Sequence, residues 1–241
     1  MYHKKTIVFS AILLAWAASV FAVYPRQIPF SGYMWNVKKS TGRVGPGPNY
    51  FSDATQNVWV DLSGKLHMKI RKNKGKWYCS EIVSNQSFGY GTYRFYIDSY
   101  VDNLDRNVVL GLFTWSDNPD YNHREIDHEF ARWADPNNLN AQYVVQPYNI
   151  AANILRFQWP AGISSSVHSF QWQNGSVFCQ SIRDQTLPPA PADIVQQHTF
   201  TSGIPVPGDE NARINLWLFR GRPPSNGSEV EIVISKFEFV P

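Results

Sequence analysis

Between residues 57 and 240 the chain is a succession of short alternating or β-branched segments, cut at close intervals by turn signals. That punctuation limits the fold more than any other feature of the sequence. The segments are NVWVDL (57–62), KLHMKIRK (65–72), GTYRFYID (91–98), NVVLGLFTW (107–115), AQYVVQ (141–146), VHSFQW (167–172), SVFCQSI (176–182), ARINLWLF (212–219) and EVEIVISKFEFV (229–240). Ser63-Gly64, Asn73 to Gly75, Asp117 to Pro119, Asn174-Gly175 and Pro223 to Gly227 separate them. No run keeps a helical period over three turns, and no internal repeat is present. Such punctuation predicts an all-β antiparallel sandwich or barrel, and Asn174-Gly175 between alternating runs predicts a tight hairpin. Residues 36–50, polar and rich in Gly and Pro, are expected to form a surface loop. Residues 184–208 carry five prolines, Pro188, Pro189, Pro191, Pro205 and Pro207. They read as a long connection with a helical turn or two around Asp193 to His198, a crossover between sheets rather than a binding rim.

Ahead of these segments, Lys4 and Lys5 precede an apolar run from Ile7 to Val20 broken only by Ser10 and Ser19. With Val20 and Ala22 as the small-residue pattern, residues 1–22 are expected to be a signal peptide cleaved before Val23. Residues 23–241 would then form one exported, extracellular or periplasmic domain with no membrane anchor, since the apolar run is shorter than the ~20 residues that span a bilayer. Losing Lys4 and Lys5 lowers the formal charge from +3 to +1, which argues against electrostatic binding of nucleic acid. Cys79 and Cys179 leave two readings open, a disulfide permitted by export or two buried thiols. Neither has a second ligand at zinc spacing. Asn85, Asn174 and Asn226 begin glycosylation acceptor triplets, which matter only in a eukaryotic secretory route.

The segment REIDHEFARW (124–133) carries Glu125, Asp127 and Glu129 at alternate positions in a chain that is only 17% charged. On a strand all three share one face, and Ile126, His128 and Phe130 share the other. Three unpaired carboxylates cannot sit in apolar surroundings, so the acidic face must be wet and Ile126 and Phe130 must point inward. A solvated edge strand would explain the charges, but Phe113, Trp115, Trp133 and Tyr143 on flanking segments favour a functional site. Retaining glycosidases need two carboxyls ~5–5.5 Å apart and inverting ones ~6.5–9.5 Å. Positions i and i+4 on a strand are ~13 Å apart at Cα, so the two glutamates must lean together, with the shorter Asp127 between them. Crowding raises at least one pKa, and a protonated acid beside an ionised nucleophile is what that chemistry requires.

EIDHEF resembles the E-x-D-x-E catalytic strand of glycoside hydrolase family 16, the laminarinase and lichenase group of β-glucanases. SEIVSNQSFGYGTYRFYI (80–97), NVWVDLSGKLHMKI (57–70), VHSFQWQNGSVFC (167–179) and RINLWLF (213–219) resemble further segments of that family in the same order. The resemblance implies a concanavalin A-like jelly-roll sandwich with a concave cleft, and retaining cleavage of β-glycosidic bonds in a polysaccharide. It implies Glu125 as nucleophile, Asp127 as assisting carboxylate and Glu129 as general acid/base. Gln142 and Gln146 match polar sugar-contacting positions, and Asn215 and Trp217 match the N-L-W segment whose tryptophan stacks on a sugar. For Trp217, stacking and core packing both stay open. Trp115 and Trp133 are further platforms, while Trp172 is assigned to the core.

Four departures put the substrate in doubt. Val83 stands where lichenase-like members carry a cleft arginine, and Val144 replaces a polar position. His123 and Arg124 replace an aromatic residue and an acid, and His128 replaces an aliphatic one. Parity makes His128 a hydrogen-bonded interior histidine rather than a proton shuttle. Transglycosylation by the same trio and a lectin-like sandwich without turnover are the rival functions. A cation held by the trio is disfavoured, because i, i+2, i+4 parity suits one ion poorly. No cofactor is required; some family members hold a structural calcium, which this sequence does not locate. A monomer is expected.

Overall fold

The computed structural model describes residues 21–241, so the expected signal peptide lies outside the described residues except for its end. The strands are β1 (Ala22–Phe30), β2 (Tyr33–Ser40), β3 (Tyr50–Phe51), β4 (Val58–Val60), β5 (Leu66–Asn73), β6 (Lys76–Ser84), β7 (Gly91–Ile97) and β8 (Val108–Trp115). A four-residue helical turn, α1 (Asp120–His123), precedes β9 (Ile126–Ala131). There follow β10 (Ala141–Val145), β11 (Ile154–Phe157), β12 (Ser166–Gln173), β13 (Ser176–Arg183), β14 (Ile194–Phe200), β15 (Asn211–Leu218) and β16 (Val230–Val240). One sheet runs β11-β10-β9-β8-β15-β6-β2-β1 and the other β4-β5-β16-β7-β12-β13-β14, joined where β5 continues into its hairpin with β6. All pairings but the short β3–β6 contact are antiparallel. The expected all-β sandwich is what forms.

Alternation explains the layering. Trp35, Val37, Ile82, Leu110, Leu112, Ile126, Phe130, Ile214 and Leu216 from the first sheet pack against Phe95, Phe170, Trp172, Cys179 and Phe237 from the second. Trp172 is fully buried, as expected, with its indole N–H donated to the Pro205 carbonyl (3.1 Å). The Asn174-Gly175 hairpin joins β12 to β13, and Gly175 takes the left-handed φ of +78° that its turn needs. Cys79 and Cys179 are both free and buried, which decides for two thiols.

Two expectations are corrected. Residues 36–40 belong to β2 rather than to a loop. Trp35 and Val37 fill the core while Asn36 and Lys38 turn to the other face; a buried lysine with a salt-bridge partner reads as loop polarity when the partner is unknown. Within 184–208 the helical turn is confined to Pro191–Asp193, and Ile194–Phe200 forms the edge strand β14. Its polar IVQQHTF composition suits an edge paired on one side only, with β13.

Candidate active site

Asp127 and Glu129 lie on β9, an interior strand between β8 and β10, and Glu125 immediately precedes it. Ile126, His128 and Phe130 are buried on its core face, so Glu125, Asp127 and Glu129 face a cavity of about 450 Å³. The approach to Glu125 is unusual. Tyr121, Asn122, His123 and Arg124 all have left-handed φ between 51° and 64°, a conformation that costs non-glycine residues roughly 1–2 kcal/mol apiece. Arg124 is held there by its own side chain, with Nε donating to the Val206 carbonyl (3.0 Å), and the Thr114 hydroxyl donates to its carbonyl (2.8 Å). His123 lies flat under Trp115, with ring centroids 4.0 Å apart, and its Nδ1 meets the Ser116 carbonyl at 2.8 Å.

Register aligns the cavity floor in rows. Glu129 stands opposite Gln142 on β10 and Gly111 on β8, and the row continues through Asn215 on β15 to Glu81 on β6. Asp127 stands opposite Val144 and Phe113, followed by Arg213 and Val83. Gln142 Nε2 donates to Glu129 Oε2 (2.6 Å), and Gln146 Nε2 donates to Asp127 Oδ2 (3.0 Å). Asp127 in turn donates a hydrogen bond to Glu125.

Burial pushes all three carboxyls up. Glu125 rises to about 8, from burial and then the Glu129 charge, against the pull of Asp127 and Arg213. Glu129 rises to about 7 through burial, against Gln142 and Arg156. Asp127 rises well above the carboxylate range through burial and both glutamates. At neutral pH the trio therefore holds fewer than three charges, and its protons belong to the set. Such a set can both give and take protons near neutral pH.

All nine residues expected at the site are brought to it. Trp115, Asn215 and Trp217 line the cavity with the trio. Trp133, Gln142 and Gln146 line an adjoining cavity of about 340 Å³. Glu129 and Trp217 border both cavities, so the glutamate sits at their junction. Trp217 is only half-buried, which favours platform over core.

Other contributors were missed in the sequence. Glu81 (1% exposed) receives Lys38 Nζ at 2.8 Å and faces Arg213 Nη1 at 3.5 Å, while Arg213 Nη2 reaches Asp117 (3.2 Å). Arg213 lies directly across from Val83, so a guanidinium reaches this part of the floor from the neighbouring strand. Phe21, Ala22 and Tyr24 of the N-terminal segment line the same cavity. The signal for Arg213 was available, since it shares parity with Asn215 and Trp217. Lys38 and Glu81 had none, because each looks ordinary without the other.

His128 is buried against the opposite sheet, as parity requires, but it is not hydrogen-bonded. Its ring stacks on Tyr143 (4.3 Å), and neither nitrogen has a partner among the described residues. The polar layer around it, Tyr143 to Ser181 (2.7 Å), Ser181 to His168 (2.8 Å) and His168 to Ser166 (2.9 Å), closes on itself without including it. Burial pushes its pKa well down, so it is neutral, with an orphaned N–H. An unmet buried polar group costs about 1–3 kcal/mol. His128→Leu is therefore expected to raise the melting temperature by roughly 2–4 °C, read by calorimetry; a lower value would show that the imidazole is held by something else.

No family model matches the sequence, and no curated protein matches it. Similarity appears among solved structures. A Bacillus licheniformis β-glucanase superposes with a TM-score of 0.62 at 19% identity, over 93% of this chain and 99% of its own. The fold is that of the β-glucanases. A prokaryotic β-1,3-1,4-glucanase (lichenase) from a mouse hindgut metagenome gives a TM-score of 0.58 at 16% identity, over 93% and 100% of the two chains. An immunostimulatory antigen and pseudo β-1,3-glucanase of Mycobacterium tuberculosis gives 0.62 at 15%, over 83% and 88%. The chain thus shares its architecture with glycoside hydrolases and has the expected jelly-roll sandwich.

Proposed function

We propose that the protein is a secreted, retaining endo-glycoside hydrolase acting on β-glycosidic bonds of a β-glucan-like polysaccharide. The observation that carries this reading is that Glu125, just before β9, and Asp127 and Glu129 on it line one cavity, with Glu129 where two cavities meet. Sugar rings would occupy both cavities at once, which suits cleavage within a chain. In the reactive form Glu125 is ionised, favoured by the hydrogen bond from Asp127 and by Arg213, and attacks the anomeric carbon while protonated Glu129 gives its proton to the departing glycosidic oxygen. The glycosyl–enzyme ester on Glu125 is then hydrolysed by water that Glu129 deprotonates, so two inversions give net retention. Asp127 holds Glu125 through its donated hydrogen bond, and Gln142 and Gln146 fix the other two acids. Trp217 offers its indole face to the apolar CH face of a ring beside Glu129. Reducing-end release from β-glucans, with the anomer of the first product followed by NMR, tests the reading. An initially α product would sink retention.

Removal of residues 1–22 on export would take Phe21 and Ala22 out of the cavity wall and leave Tyr24. The protein is proposed to act as a monomer. Arg213 is the cation that favours ionised Glu125, so Arg213→Met should move the acidic limb of the kcat/KM profile to higher pH. An unmoved limb would mean that Arg213 serves only Glu81. The likeness to a pseudo-glucanase keeps a second reading in view, binding without turnover. It predicts sugar affinity with no product from any glycan.

A further inference from the structure

Gly111 is the one residue without a side chain in the floor row that runs from Glu129 to Asn215 and Glu81. Its backbone is extended within β8 and has no left-handed φ, so conformational freedom does not explain a glycine there. A glycine inside a strand costs about 0.5–1 kcal/mol relative to alanine and often marks a close approach by another group. Here the approaching group is a carboxamide. A Cβ at position 111 would lie 2.5 Å from Asn215 Oδ1 and 3.4 Å from its Cγ. The Asn215 carboxamide therefore turns its oxygen into the space that a side chain at 111 would fill.

Asn215 is 4% exposed, and its Oδ1 accepts no hydrogen bond. Next in the row, Glu81 Oε1 also accepts none, although Arg213 Nη1 stands 3.5 Å away. Both residues line the cavity that holds Glu129, and each keeps one buried oxygen without a hydrogen bond. Each would cost about 1–3 kcal/mol if nothing met it. The group that completes them must donate protons, as sugar hydroxyls do. A sulfate ester or uronate would set acceptors against acceptors and a negative charge against Glu81, which already engages Lys38 and Arg213, the cations lining this cavity.

Resting on the hydrolase reading above, we propose that Gly111 is a specificity-determining position. It lets the Asn215 carboxamide stay low, so that an uncharged sugar ring with free hydroxyls can settle on the floor next to Glu129. A methyl group at 111 would push the carboxamide up into the space of the ring.

The test is steady-state kinetics of the wild type, Gly111→Ala, Asn215→Ala and the double variant on mixed-linkage β-glucan, laminarin, agarose and sulfated carrageenan. Melting temperatures are measured alongside. Gly111→Ala should raise KM about tenfold, the worth of one good hydrogen bond, with kcat changed much less and melting unchanged or higher. In the Asn215→Ala background the same substitution should add little, because no carboxamide remains to displace. That dependence separates positioning from a general packing defect. The proposal is overturned if Gly111→Ala leaves KM unchanged, if it raises KM as much without Asn215, or if carrageenan is the preferred substrate. A wild type that releases nothing from any of these glycans would bring down the hydrolase reading itself, and this inference with it.

Discussion

Glu125→Gln is expected to lower kcat/KM on any β-glycan substrate by at least about 10⁴-fold, as removal of an essential nucleophile does, while oligosaccharide binding survives. The amide is isosteric and keeps the contacts of the carboxyl, but it cannot form the glycosyl ester. Glu129→Gln should cost about 10²–10⁴-fold, the usual worth of general acid–base catalysis. It should cost least on aryl glycosides, whose good leaving groups need no proton. The roles separate further with the alanine variants and azide. Glu125→Ala should yield a glycosyl azide of inverted configuration by direct displacement, and Glu129→Ala one of retained configuration by attack on the ester. Equal losses on all substrates with no azide product would sink the assignment of two distinct roles. Turnover by Glu125→Gln near the wild-type rate would sink the mechanism altogether.

The second large effect is on stability. The folded-state pKa values of Glu125 and Glu129 lie above those of an unfolded chain, at about 8 and about 7 against an ordinary 4.5. Groups raised in this way leave the fold most stable below their unfolded pKa, and that stability is lost as pH rises through the folded values. The wild type should therefore melt at progressively lower temperature from about pH 5 to about pH 8. Glu125→Gln and Glu129→Gln should each flatten that slope, matching the wild type near pH 5 and melting on the order of 5 °C higher near pH 8. A wild-type melting curve that rises across this window would show that the carboxyls are stabilised as anions. Inactivation and stabilisation by one substitution is the expected mark of a site held against its own repulsion.

What the sequence reveals follows its alternation. β9 is legible because apolar and acidic residues alternate strictly, and the consequence for Ile126 and Phe130 is realised in the core. The same alternation locates β8, β10 and β15, and the family resemblance, not the pattern, singles out Gln142, Gln146, Asn215 and Trp217 on or beside them. It fails in β2 and β14, where polar residues occupy both faces: one strand carries a lysine paired within the cavity, the other lies at a sheet edge. The ion network of Lys38, Glu81, Arg213 and Asp117 joins four separate strands or loops, and no local pattern encodes such a meeting. His128 is a half success. Parity gives its burial, whereas hydrogen bonding depends on neighbours from β10, β12 and β13 that only tertiary structure supplies.

The register of β9 has a further consequence. Burying Ile126 and Phe130 is worth roughly 1.5–3 kcal/mol each, and a slip of one position would send both outward and all three acids into the interior. Because β9 is paired on both sides, such a slip would also have to carry β8 and β10. The grease behind the strand is thus the clamp for the acids in front of it. A lineage carrying this segment can exchange the residues that line the cavity one at a time, but a single insertion or deletion within 125–130 is expected to disrupt the row of acids and the core behind it together.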